Sequence, residues 1–159
     1  MSKHKSGKTA WHMAAGKGKV EVLEKMWDWA KELQLKPEEL WNEVWLSKDR
    51  HGETAWHMAA EKGIVEVLEK LWDWAKELQL KPEELWNEMW LSKGLWNETA
   101  WQVAVYEGQF EVLEKLWDWA KELQLKPEDL RNDLLFSKDM YIQKVWNKAA
   151  CEGHVEILE

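Results

Sequence analysis

The chain has 159 residues and a net charge of −8. That acidity argues against nucleic acid and anionic membrane as partners, because both require a basic face. A lone Cys151 rules out an internal disulfide. No apolar run approaches the roughly 18 residues of a membrane span, and the start shows no secretory leader. A cytoplasmic or recombinantly made protein is expected.

The first residues, "MSKHKSGK" with Lys17 and Lys19 after them, hold the one concentration of basic charge and read as a solvated end. The "SGKT" at 6–9 is not a phosphate-binding loop, since Ser2 stands where the motif needs glycine and no strand precedes it. Thr9, Thr54 and Thr99 then open three units of period 45, at 9–53, 54–98 and 99–143, and a partial fourth occupies 144–159. Trp11, Trp56, Trp101 and Trp146 hold one register, and Gly18, Gly63, Gly108 and Gly153 another. "WDWA" recurs at 27–30, 72–75 and 117–120, so the repeat accounts for most of the fifteen tryptophans.

Each unit predicts three helices. In the second unit "TAWHMAAEKG" forms the first, with Thr54 as N-cap and Gly63 as a left-handed stop. The second runs from about Val65 to Leu78, and places Val65, Leu68, Leu71, Trp72, Ala75 and Leu78 on one apolar face. The third begins at "KPEEL", where Pro82 suits the first helical position and Glu83 and Glu84 suit the positive end of the helix dipole. It carries Leu85, Met89 and Trp90 inward.

No period-2 alternation of any length occurs, so the fold class expected is all-α. A unit this small cannot bury its own apolar face, so neighbouring units must stack, making 1–159 a single helical repeat solenoid. Trp11, Trp56, Trp101 and Trp146, with Trp27, Trp72 and Trp117, belong to the core of that stack. Each buried indole removes roughly 150–250 Å² from water, worth about 4–6 kcal/mol at most.

The stretch "GETAWHMAAEKGIVEVLEKL" at 52–71 resembles the core of an ankyrin repeat through Gly52, Thr54, His57, Ala59, Ala60, Gly63, Val67 and Leu68. Residues 7–23 and 144–158 match it less completely. An ankyrin unit has roughly 33 residues, and here an extra dozen or so residues make the third helix, "KPEELWNEMWLSK". Ala55 and Ala100 replace the family's proline, and tryptophan replaces its leucine. The resemblance implies an ankyrin-like solenoid of enlarged repeats, its finger shortened to loops around 48–53 and 93–98. HEAT and armadillo arrays share the period but lack the threonine, histidine and glycine punctuation. The resemblance also implies that His12 and His57 are structural clasps, bonding the threonine hydroxyl and a neighbouring carbonyl. Gln102 and Asn147 stand in their place in later units, which a hydrogen bond tolerates and a general base does not.

No catalytic site, cofactor site or metal site is expected. No cysteine–histidine cluster has zinc-ligand spacing, Cys151 lies on the small-residue face of a short helix, and Asp28, Trp29, Glu38 and Glu39 fall on exposed helix faces. Trp41 with Trp45, and Trp86 with Trp90, are i,i+4 pairs. Because Arg131 takes the corresponding place in the third unit, these pairs form either an exposed aromatic patch or a partly covered rim.

Units two and three differ at eighteen positions, all within 57–65 and 84–98, while "EVLEKLWDWAKELQLKPE" is identical at 66–83 and 111–128. That identity fits either recent duplication or an engineered scaffold with diversified loops. In ankyrin-like solenoids the first helices and inter-repeat loops line the concave, partner-binding face. The expected contact residues are therefore Arg50, His51, Met58, Glu61, Ile64, Leu95, Trp96, Asn97, Val103, Tyr106, Gln109, Met140, Tyr141 and Ile142, which include hot-spot types. The function expected is a non-enzymatic scaffold that binds another protein. The rival is a structural segment of a longer array that associates head-to-tail, since no polar capping repeat is evident at either end.

Overall fold

Each unit opens on a threonine whose hydroxyl caps a short helix. The computed structural model describes residues 9–94, 98–124 and 147. In the first unit α1 spans Ala10–Gly16, α2 Val20–Glu32 and α3 Pro37–Val44. In the second, α4 spans Ala55–Lys62, α5 Val65–Glu77 and α6 Pro82–Leu85, and α6 runs on into a π-helical turn over Trp86–Trp90. The third unit contributes α7, Ala100–Glu107, and α8, Phe110–Glu122. Every regular element among the described residues is helical, with no strand among them.

The boundaries follow the local chemistry. Thr9, Thr54 and Thr99 each accept a hydrogen bond from the backbone N–H three residues on, filling one of the free donors of a helix start. Gly63 and Gly108 stop α4 and α7 at φ of 73° and 69°, where a side chain would be strained. Pro37 and Pro82 occupy first-turn positions of α3 and α6, as the "KPEEL" pattern predicts. A feature the sequence did not announce separates the second and third helices. Gln34, Gln79 and Gln124 adopt φ of 56°, 55° and 54°, so the same left-handed turn recurs in the first three units on a residue with a side chain.

Packing joins like to like. α1 lies against α4 and α4 against α7, while α2 lies against α5 and α5 against α8; within a unit the first helix packs on the second. The joints are made of indole rings. Trp41 stacks on Trp45 at 5.0 Å, Trp45 meets Trp27 edge-on at 5.7 Å, and Trp27 stacks at 4.9 Å on Trp74 of the next unit. One unit on, Trp86 stacks on Trp90 at 5.7 Å, Trp90 meets Trp72 edge-on at 5.3 Å, and Trp72 stacks at 5.5 Å on Trp119. Such pairs contribute roughly 0.5–1.5 kcal/mol each beyond simple burial.

These joints correct two expectations. Trp41, Trp45, Trp86 and Trp90 are all buried, so they form no exposed aromatic patch. Each i,i+4 pair instead turns its rings inward onto the tryptophan of the second helix. The second helix also has two buried faces where the sequence suggested one. Trp74 stacks on Trp27 of the preceding unit, while Trp72 meets Trp90 of its own unit and stacks on Trp119 of the next, with Val67, Leu68 and Leu71 buried beside them.

Candidate binding face

The connection into the second unit is a tight turn built around one carboxylate. Asp49 Oδ1 accepts from the backbone N–H groups of His51 at 2.8 Å and Glu53 at 3.0 Å. Asp49 N–H donates to the Glu53 carbonyl and Gly52 N–H to the Asp49 carbonyl, both at 3.0 Å, and Gly52 sits at φ 82°. A side chain that bonds its own downstream backbone in this way fixes a turn locally. The loop between units two and three keeps the closing bond, Gly94 N–H to the Glu98 carbonyl at 2.8 Å, although glycine has replaced the aspartate. The spacing of Asp49 and Gly52 is the sequence signal for this clamp.

Those residues are Arg50 and His51. Both are exposed, and Arg50 Nε donates to His51 Nε2 at 3.4 Å. The structure thus brings these two expected contact residues together on a fixed platform.

The first-helix residues divide. Tyr106 is exposed near the end of α7, and Glu61 and Val103 are half-buried. Met58 is buried instead, lying against Gly16 of the preceding unit, where a Cβ would come within 3.9 Å of its sulfur. Ile64 packs over Gly18, whose Cβ position lies 3.5 Å from Ile64 Cγ2. Gln109 reaches back to donate from Nε2 to the Glu61 carbonyl at 3.0 Å, with its amide directly over Gly63. Met58 is thus buried and Ile64 and Gln109 half-buried, each in contact across a joint between units. Leu95, Trp96, Asn97, Met140, Tyr141 and Ile142 lie outside the described residues.

The two histidines behave as the resemblance implied. His12 Nε2 lies 3.0 Å from the Glu53 carbonyl and His57 Nε2 2.8 Å from that of Ser92; a carbonyl only accepts, so both rings donate from Nε2. Nδ1 must then accept, and in each ring it sits 2.8 Å from the threonine hydroxyl. Burial lowers the His57 pKa to about 4 against the opposing pull of the Ser92 bond, with Lys48 lowering it further, so the ring is neutral near pH 7. Gln102 keeps the local half of the clasp, its Oε1 accepting from Thr99 N–H at 2.8 Å. Among the described residues no three of His, Cys, Asp and Glu converge to hold a metal ion, and no helix is long and apolar enough to cross a membrane.

A second surface lies on unit one, where Met13, Val22, Trp29 and Leu33 are exposed. A cleft of about 620 Å³ opens beside them, with Trp11, Met26, Ala30 and Leu40 in its walls. Trp29 lies on an exposed helix face, as its place beside Asp28 suggests, and local sequence carries no signal for the cleft next to it.

No protein-family model matches the chain, and no curated protein matches it either.

Proposed function

We propose that the protein is a non-enzymatic scaffold, an ankyrin-like solenoid of enlarged repeats, that binds another protein through its inter-unit turns and first helices. The observation that carries the reading is the Asp49-clamped turn. It holds Arg50 and His51 in solvent on a rigid base, so little ordering entropy opposes contact. The threonine–histidine clasps and left-handed glycine stops support the ankyrin-like part. The contact face comprises Arg50, His51 and Tyr106, with Glu61 and Val103 at its edge. Leu95, Trp96, Asn97, Met140, Tyr141 and Ile142 join it by repeat position. It requires no cofactor.

The test is the affinity of a captured partner protein for two variants, Arg50→Ala with His51→Ala, and Tyr106→Ala. These side chains are exposed, so helicity should be unchanged while binding weakens by about tenfold or more, the range of hot-spot truncations. Unaltered affinity for both variants would overturn the assignment.

A further inference from the structure

Each "WDWA" carries two tryptophans, and the two serve different joints. The first meets the unit that follows, Trp27 stacking on Trp74 and Trp72 on Trp119. The second, Trp74 or Trp119, turns to the unit before. A joint therefore pairs two unlike faces. The motif occurs three times, which gives three indoles of each kind. The two joints consume Trp27 with Trp74 and Trp72 with Trp119, leaving Trp117 and Trp29 with no stacking partner in another unit among the described residues. Their exposure agrees. Trp29 is 58% exposed where Trp74 and Trp119 are 6% and 7%, and Trp117 is half-buried where Trp27 and Trp72 are 2% and 1% exposed. Beside Trp29, Val22 and Leu33 are open, whereas Val67, Val112 and Leu123 are buried.

We infer that Trp29 of one copy of the chain stacks on Trp117 of another, so that copies add head to tail through the joint the chain already uses twice inside itself. The rim charges fit the same pairing. In each internal joint a lysine of the later unit reaches a glutamate of the earlier one, Lys70 to Glu24 at 3.0 Å and Lys115 to Glu69 at 3.5 Å. Lys25 stands at that lysine position and Glu114 at that glutamate position, and both are exposed. Setting Trp29 on Trp117 brings this third pair together. Because the two faces differ, the contact is heterologous and leads to chains or rings instead of a two-fold dimer. Residues 144–159 carry the first-helix register of a fourth unit, so they are the competing occupant beside Trp117, and the experiment separates the two. The turn carrying Arg50 and His51 takes no part, so this inference stands apart from the partner-binding reading.

Light scattering on size-separated full-length protein, at rising concentration, is the test. The expected result is a mass that climbs past the dimer. Trp29→Ser should weaken assembly by about tenfold or more, as truncation of an interface indole does, with unchanged circular dichroism because the side chain is exposed. Lys25→Glu and Glu114→Lys should each weaken it by about fivefold, since each sets like charges face to face. Both reversals in one chain should restore it, because every contact then holds the pair with its signs exchanged. A protein monomeric at every concentration would overturn the proposal and assign Trp117 to residues 144–159. Growth that halts at a dimer, or assembly indifferent to Trp29→Ser, would overturn it too. So would single reversals without effect, or a double reversal that fails to recover what they lost.

Discussion

At the scale of single residues, the buried clasp gives the protein a pH-dependent stability. The folded state holds His57 at a pKa of about 4, below the ordinary 6.5, so the unfolded chain takes up the proton first as pH falls. The contribution is complete above about pH 6.5 and is lost progressively down to about pH 4, amounting to roughly 3 kcal/mol. Denaturant titrations of wild type and His57→Gln between those limits should show a flatter profile for the variant. Gln102 marks glutamine as acceptable at this position. An unchanged slope would show that the ring does not titrate there. Gly63 makes a second prediction. A Cβ at φ 73° is strained, and it would displace the Gln109 amide from the Glu61 carbonyl. Gly63→Ala should cost about 1–2 kcal/mol in urea denaturation, a loss that comes mainly from the backbone.

At the scale of elements, α5 shows how one helix serves three units. Trp74 stacks on Trp27 of the first, Trp72 meets Trp90 of its own unit edge-on, and Trp72 stacks on Trp119 of the third. Trp74→Ala should therefore cost about 3–5 kcal/mol. Trp29→Ala, at the same repeat position, should stay within about 0.5 kcal/mol when unfolding is followed on dilute monomer. Equal costs would mean that Trp29 is also covered. The turn after α5 carries its own strain at Gln79, and Gln79→Gly should raise stability by up to about 1 kcal/mol by the same measurement. The three helices per unit, their caps and their stops were legible in the first two units, because proline, threonine and glycine act on the backbone locally. The left-handed glutamines were not legible, because nothing in glutamine's own chemistry asks for that conformation.

At the scale of the whole molecule, the identity of 66–83 and 111–128 has a packing reason. The segment carries Val67, Trp72 and Trp74 for the joints, and it also carries the rim ions. Lys70 meets Glu24, Lys115 meets Glu69, and Lys76 lies 4.0 Å from Glu122. A helix that must fit a copy of itself on each side leaves little freedom at exposed positions as well as buried ones. The ion pairs are exposed and weak. Replacing Glu24, Glu69 and Glu122 together with glutamine should lower the unfolding midpoint slightly at low salt and not at all near 1 M, where screening acts within about 3 Å. The variable positions proved to be of two kinds. Arg50, His51 and Tyr106 vary in solvent, whereas Met58, Ile64 and Gln109 vary inside the joints.

The sequence alone determined the period, the helices and the capping threonines, because each of these depends on residues a few places apart. It could not distinguish Trp29 from Trp74. Both sit in the same "WDWA", yet Trp74 is buried against Trp27 of the first unit while no described residue covers Trp29. The same holds for Trp41 and Trp86, whose helical spacing is equally consistent with an outward stripe. Their burial depends on the indole beside them, which the tertiary packing supplies.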